Sequence, residues 1–273
     1  MDQEVKYINI KDLVLWTENP RDPIDSAATD QDVVDRALED KMAKWTLAKL
    51  SKEMGAYYDL SELPTVVYHG KKPVVYDGNR RIILGKIKHG FVTIEEETNI
   101  EIPEFPIEIP CNVCTEKIAL NNVWRKHGNS GTWGQLEQDI FLHKFLGHEK
   151  SPYLILEEET GIITKYPHLN KDYVQREIFN KTNLKKLGFE VQNGNLYTVH
   201  TDSEATTVLS DIAQKVGSKI TTRKNRGKVV EVLDPSTQEI IETNKDSKPH
   251  KSKISFARSR AAAKPAKPRR SKR

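Results

Sequence analysis

At 273 residues, with 37% hydrophobic and 30% charged residues, the chain has room for one substantial domain plus a smaller one or a tail, and is too apolar to be disordered throughout. The formal net charge of +4 is unevenly placed: from Lys245 to Arg273 twelve Lys or Arg stand against one acid, leaving 31 basic and 38 acidic residues in the other 244. The two cysteines, Cys111 and Cys114, exclude a disulfide framework, and no apolar run approaches the roughly 18 residues of a membrane span, so a cytoplasmic protein with no membrane partner is expected.

Lys6 to Ile10 alternates apolar and polar residues and predicts an edge strand, followed by a turn at Glu18-Asn-Pro-Arg21 where Pro20 holds Asn19 extended. From Asp30 to Met54 apolar residues recur near a helical period, predicting one or two amphipathic helices. Pro64 to Tyr68 and Pro73 to Tyr76 read as β-branched strands joined by a turn containing Gly70. Asp77 and Gly78 end the second strand, and a short helix follows from Asn79 to His89, closed at Gly90.

A strand from Phe105 to Val113 then leads to a helix over about Glu116 to His127. After a break at Gly128 to Gly131, Thr132 to Leu146 has a capping residue, a helical apolar pattern and Gly147 at its end. It opens a helical region that continues through Tyr153 to Glu159 and Lys171 to Leu187. Past Lys245 the chain carries Pro249, Pro265 and Pro268 among its lysines and arginines, and buries too little apolar surface to offset its chain entropy. This predicts a disordered basic arm that finds polyanions by counterion release, with a merely solubilising tail as the alternative.

The start of the Asn79 helix breaks a local rule. Helix N-termini carry partial positive charge and favour acids, yet Arg80 and Arg81 stand in this first turn. Two guanidiniums there call for an anion. Gly78 permits close backbone approach, Asn79 is a candidate cap and the first-turn amides point the same way, so a phosphate fits. A turn with two solvated arginines is the plain alternative. Glu18 offers a carboxylate able to accept a proton or reach a metal, and Arg21 a second phosphate contact, although such a tetrapeptide is also an ordinary polar turn. Helical spacing puts Asn122, Arg125 and Lys126 on neighbouring positions of one face, where Asn122 is a competent magnesium ligand and Arg125 a phosphate clamp; an exposed helix face is the alternative.

In this order, a Glu-Asn-Pro-Arg turn, a strand ending in Asp-Gly-x-x-Arg before a helix, and an Asn-x-x-Arg helix resemble the N-terminal domain of ParB and sulfiredoxin-like proteins over about residues 5–128. The resemblance implies a domain that binds CTP or ATP with magnesium, in a superfamily running from partition clamps through a free-serine kinase to proteins labelled ParB-like nucleases. Gly78, Arg80 and Arg81 match its phosphate-binding Gly-x-x-Arg segment, and Asp77 to Arg81 is nearer the Asp-Gly-x-x-Arg form of the kinase-like relatives. Asn122 and Arg125 match the Glu-Asn-x-x-Arg helix of partition proteins, with Asn121 in place of the Glu, a departure that bears on CTP hydrolysis. In the kinase-like relatives an acid in the first turn serves as catalytic base, which implies Glu18 here. The cysteine that sulfiredoxin needs in the phosphate loop is missing from Asp77 to Arg81, and that activity is set aside.

Tyr153 to Gly161 followed by Asn170 to Ile178 has the outline of a helix-turn-helix, with a longer linker containing Pro167 than the usual 3 to 4 residues; a plain helical packing domain is the alternative. Cys111 and Cys114 read first as buried or idle thiols, then as a redox pair, then as metal ligands. The expected fold is therefore α+β: a ParB/sulfiredoxin-like small mixed sheet with flanking helices over 1–128, a mainly helical domain over 129–244, and a disordered basic tail over 245–273. The expected function is a DNA-associated nucleotide-binding protein, with nucleotide hydrolase or nuclease as its enzymatic forms. A non-catalytic DNA-binding regulator that senses nucleotide in the same pocket, and a small-molecule kinase, are the alternatives. Arg21, Asp77, Gly78, Asn79, Arg80, Arg81, Asn122 and Arg125 are expected around the nucleotide, Asn122 on Mg2+ and Glu18 as base. Nucleic acid, DNA above all, and a second copy of the chain are the expected partners.

Overall fold

The computed structural model describes residues 2–40, 44–94, 100–128, 131, 133–220, 225 and 227–256. The described residues up to 131 form one compact unit and those from 133 to 256 another. The fold is α+β.

In the first unit, β1 (Gln3–Asn9), β2 (Val14–Leu15), β3 (Thr65–His69), β4 (Lys72–Asp77) and β5 (Glu108–Cys114) make one sheet in the order β1-β5-β3-β4-β2. β1 runs antiparallel to β5 and β3 antiparallel to β4, whereas β3 and β5, and β2 and β4, are parallel. The sheet is small and mixed, as expected, and the β-branched runs form its adjacent strands β3 and β4. α1 (Asp30–Glu39), α2 (Leu47–Met54), α3 (Asn79–Lys88) and α4 (Glu116–Val123) accompany it. Val66, Val75 and Ile109 face a core shared with Leu13, Leu15, Val34, Ile82 and Ile83.

α3 buries every residue from Ile82 to Ile87, so it behaves as a core helix rather than a surface one. A Cβ on Gly85 would sit 2.8 Å from the Phe105 ring, which is why this helix tolerates a glycine in its interior. Lys86, 2% exposed, places Nζ 2.9 Å from Asp30 Oδ2 and donates to Ile10 O at 3.0 Å, tying α3 to the start of α1 and the end of β1. Asp30 also accepts from Leu15 N at 2.8 Å, so one buried pair fixes three segments of chain.

The second unit contains α5 (Gln135–Leu146), α6 (Pro152–Thr160), α7 (Ile162–Lys165), α8 (Asp172–Glu177), α9 (Lys181–Lys186), α10 (Asp202–Gly217) and α11 (Pro235–Asn244). α5 starts at Gln135 with Gly134 as its N-cap, later than the sequence pattern predicts, and the expected cap Thr132 lies outside the described residues. The unit is not helical alone. β6 (Phe189–Gln192), β7 (Asn195–Thr198) and β8 (His250–Lys251) form an antiparallel sheet in that order. The β6–β7 turn is Asn193-Gly194 with φ of 49° and 74°, the dipeptide that tolerates left-handed backbone in a two-residue hairpin.

The tail does not begin at Lys245 as expected. β8 pairs with β7, Phe256 N donates to Thr160 O at 2.8 Å, and Ile254 and Phe256 are 4% and 8% exposed in the core of the second unit. These two side chains supply the apolar burial that the lysine-rich composition around them conceals. The rest of the predicted arm, 257–273, lies outside the described residues.

The two helices of the expected helix-turn-helix correspond to α6 and α8. They are not joined by a short turn: α7 follows Gly161 directly, and a 3-10 turn over Pro167–Leu169 comes next. Cys111 and Cys114 lie three apart in β5 and so on opposite faces of the strand, which separates their thiols. Both are buried, and burial pushes the Cys111 thiol up to about 12. Among the described residues no helix is long and apolar enough to cross a membrane.

Candidate functional site

The chain leaves β4 at Asp77 and enters α3 through Gly78, whose φ of 98° lies in the region that favours glycine. A Cβ there would also stand 3.2 Å from Pro64 Cβ, so both the backbone and a neighbouring ring require the glycine. Gly78 is the N-cap, and its carbonyl accepts from Arg81 N and Ile82 N at 2.9 and 3.1 Å. No side chain caps the helix.

Asn79, the cap expected from the sequence, is instead the first residue of α3 and only 4% exposed. Its Oδ1 accepts from Trp16 N at 2.9 Å and its Nδ2 donates to Val75 O at 2.8 Å. Both ends of the amide are used inside the fold, where they pin the loop after β2 to the β4–α3 junction. Asn79 thus positions the site from within the fold.

Arg80 and Arg21 belong to segments far apart in sequence, yet they reach the same strip of chain. Arg21 Nη1 donates to Lys44 O at 2.7 Å, and Arg80 Nη1 to Trp45 O and Thr46 Oγ1 at 3.4 and 3.1 Å. The other side of this strip is held by Asp40, whose carboxylate accepts from the amides of Lys44, Trp45 and Thr46 at 2.6, 3.0 and 2.7 Å. Asp22 adds a further anchor: it takes a bidentate bond from Arg36 at 2.6 and 2.7 Å and one from Trp45 Nε1 at 3.1 Å. Burial would raise the Asp22 carboxyl, but the Arg36 bond and the Lys44 charge outweigh it and hold the carboxyl below its ordinary value.

Among the described residues the hydrogen bonds of Arg80 go to neutral oxygens. Burial, and then the adjacent Arg81 charge, lower its pKa, the signature of a cation held where more negative charge would be welcome. Arg81 differs, pairing with Glu62 Oε2 at 2.7 Å near the surface.

α4 runs into a π-helical turn, Trp124–Gly128, a geometry frequent at functional sites. This turn brings Lys126 Nζ to 2.7 Å from Asp77 Oδ2 and His127 Nε2 to 2.9 Å from Asp77 Oδ1. Burial works against ionisation of Asp77, but the His127 bond and the Lys126 charge prevail and hold its carboxyl well below the usual carboxylate range. His127 is the functional candidate that sequence reasoning passed over; Lys126, expected beside Asn122 and Arg125, turns instead to Asp77. Asn122, near the end of α4, accepts from Arg125 of this turn at 3.4 Å, and Arg125 is exposed.

Glu18 is half-buried in the loop after β2. Nearby, Tyr76 stacks on Trp16 with ring centroids 4.5 Å apart, donates to Glu116 Oε1 at 2.9 Å and lies 3.1 Å from His69 Nε2. Burial, then the bond and charge of Glu116, then the Glu18 charge push the Tyr76 phenol above its ordinary value. Glu18 thus stands within electrostatic reach of the face of β4 that leads to Asp77. Among the described residues no group of three or more His, Cys, Asp or Glu is arranged to hold a metal ion.

The site is therefore a junction with an uncapped helix start, two arginines in its first turn, and Lys126 and His127 latched to the carboxylate beside it. Such an arrangement can bind an anion through backbone amides and guanidinium together. No protein-family model matches this sequence, and no curated protein matches it.

Proposed function

We propose that residues 1–132 bind the phosphate of a nucleotide or nucleic acid at the β4–α3 junction, and that the chain is a DNA-associated nucleotide-binding protein of the ParB-like class. The observation that carries this reading is the start of α3, where an uncapped N-terminus coincides with a half-buried Arg80 bonded to neutral oxygens and with Arg81 beside it. An anion placed there meets the helix dipole, the first-turn amides and a guanidinium at once. Lys126 and, when protonated, His127 add positive charge on the other side of Asp77.

CTP or ATP with Mg2+ is the ligand that the ParB-like resemblance favours. A magnesium ion carried by nucleotide phosphates needs few protein oxygens, and the side-chain oxygen of Asn122 is the donor this chain offers. When bound, the metal would neutralise phosphate charge. In an enzymatic form, nucleotide hydrolase or nuclease, Arg80, Arg81 and Arg125 position and neutralise the phosphate and Glu18 accepts a proton; a small-molecule kinase would use Glu18 in the same way. Nucleic acid, reached through the basic residues toward Arg273, and a second copy of the chain are the partners of this reading.

One observation favours the non-catalytic version. Arg80 and Arg21 hold adjacent carbonyls of the Lys44 to Thr46 strip, so a phosphate that draws Arg80 away loosens that strip and reports occupancy elsewhere.

Thermal-shift titration with ATP, ADP, CTP and GTP, each with magnesium and with or without duplex DNA, tests the proposal. A ligand of the native state raises the melting temperature, and Arg80→Ala should remove most of that rise. No shift with any nucleotide or with DNA, or a shift that Arg80→Ala leaves intact, overturns it.

A further inference from the structure

β1 forms one edge of the five-stranded sheet, with β5 on its inner side. Ile10 N donates to Ile107 O at 2.9 Å and Asp2 O accepts from Thr115 N at 3.3 Å, at the two ends of the β1–β5 register. Residues of an antiparallel strand alternate in which side their N–H and C=O face, so the even-numbered residues turn theirs to β5 and Gln3, Val5 and Tyr7 turn theirs outward. Glu4 and Lys6 put charge on this edge, but among the described residues no other strand pairs with it. Its register runs unbroken from Gln3 opposite Cys114 to Asn9 opposite Glu108, β1 itself has no bulge and no proline, and Val5 and Tyr7 are 59% and 67% exposed. Edges of this kind are normally blunted, because they template pairing with another strand.

We propose that β1 pairs antiparallel with β1 of a second copy of the chain, about a two-fold axis at Val5, joining two five-stranded sheets into one. The register follows from charge. Centred on Val5, the pairing sets Val5 against Val5, Gln3 against Tyr7 and Glu4 against Lys6 of the other copy, twice by symmetry. The outward N–H and C=O groups of Gln3, Val5 and Tyr7 then meet their counterparts. A shift that centres the pairing on Lys6 puts the two lysines face to face and Glu4 against Ile8; a shift to Glu4 opposes the two glutamates. Like charges directly opposite are destabilising, and opposite charges favourable, so the Val5 register prevails. In the single chain Glu4 and Lys6 already reach each other at 2.7 Å, and in the pair each exchanges that contact for one across the strands. An edge this short buries less than a standard interface, so the association is weak and depends on concentration. The surface rests on β1 alone, and its test is separate from that of the phosphate site.

Sedimentation velocity of the full-length chain over a concentration series, with Glu4→Lys and Lys6→Glu, is the experiment. Wild type should dimerise, and each single variant, which opposes like charges twice, should associate roughly tenfold or more weakly. Mixing the two variants restores both opposite-charge pairs, so the mixture should dimerise like wild type. Both residues are exposed, and circular dichroism checks that each variant is folded. Wild type that stays monomeric across the series overturns the proposal. So does dimerisation untouched by either substitution, or a mixture no better than its parts.

Discussion

Lys126 Nζ lies 2.7 Å from Asp77 Oδ2, a bond between residues 49 apart in sequence that fastens the π-helical turn after α4 to the end of β4. With His127 on the other carboxylate oxygen, Asp77 stands between two cationic side chains and the start of α3. The carboxylate thus organises the site and competes with any phosphate for its cations.

Asp77→Asn should separate those two roles. The Asp77 carboxyl is held below its unfolded value of about 3.9, so its stabilising contribution is complete above that pH and is lost as pH falls through the lower, folded value. The variant should lose ~1–3 kcal/mol at pH 7 and progressively less below about pH 4. Phosphate affinity should hold or rise, because Lys126 is released. Urea unfolding at pH 7 and pH 3, with phosphate titration at pH 7, checks both; equal loss at the two pH values would contradict the ionic role.

Arg80→Ala and Arg81→Ala should differ in kind. Two like charges at a helix start suggest that removing either one stabilises the protein, but Arg80 bonds to Trp45 O and Thr46 Oγ1 reverse that sign. Arg80→Ala should cost about 1 kcal/mol of stability and about 1.5–3 kcal/mol of phosphate affinity. Arg81→Ala breaks a pair with Glu62, which is 54% exposed, and should cost ~0–1 kcal/mol of stability. Denaturation and nucleotide titration of the two variants side by side measure this contrast.

Asn79→Ala should be the most damaging change at the junction. It strands the Trp16 amide and the Val75 carbonyl in a buried setting, for a loss of ~2–4 kcal/mol. At temperatures where the variant is folded, its affinity for phosphate should match wild type. A large affinity loss with unchanged stability would instead place Asn79 on the ligand.

Truncation should show where the basic arm starts to matter. Removing 257–273 takes away eight Lys or Arg and no acid, so it should weaken DNA binding and flatten its salt dependence while leaving the melting temperature unchanged. Removing 245–273 also deletes Ile254 and Phe256 from the core of the second unit and should lower the melting temperature by several degrees. Equal stability of the two truncations would contradict the packing of this segment.

Local patterns in the sequence determined the β-branched strands around Val66, Val67, Val74 and Val75, the short helix that opens at Asn79 and closes before Gly90, and the anomaly of Arg80 and Arg81 at a helix start. Each is set by neighbours within a few residues, through side-chain period and backbone dipole. The Asn193-Gly194 dipeptide carried the same kind of local signal for a hairpin, which the expectation of a mainly helical domain passed over. Tertiary structure decided the rest, because it depends on groups that meet only when the sheet closes. It turned Asn79 inward to Trp16, drew Arg21 and Arg80 onto neighbouring carbonyls, and buried Lys86 against Asp30. It also latched Lys126 and His127 to Asp77, and returned Ile254 and Phe256 to a core that their basic surroundings hid. A buried polar group must find its hydrogen-bond partner wherever the fold supplies one, and sequence spacing carries no record of that partner.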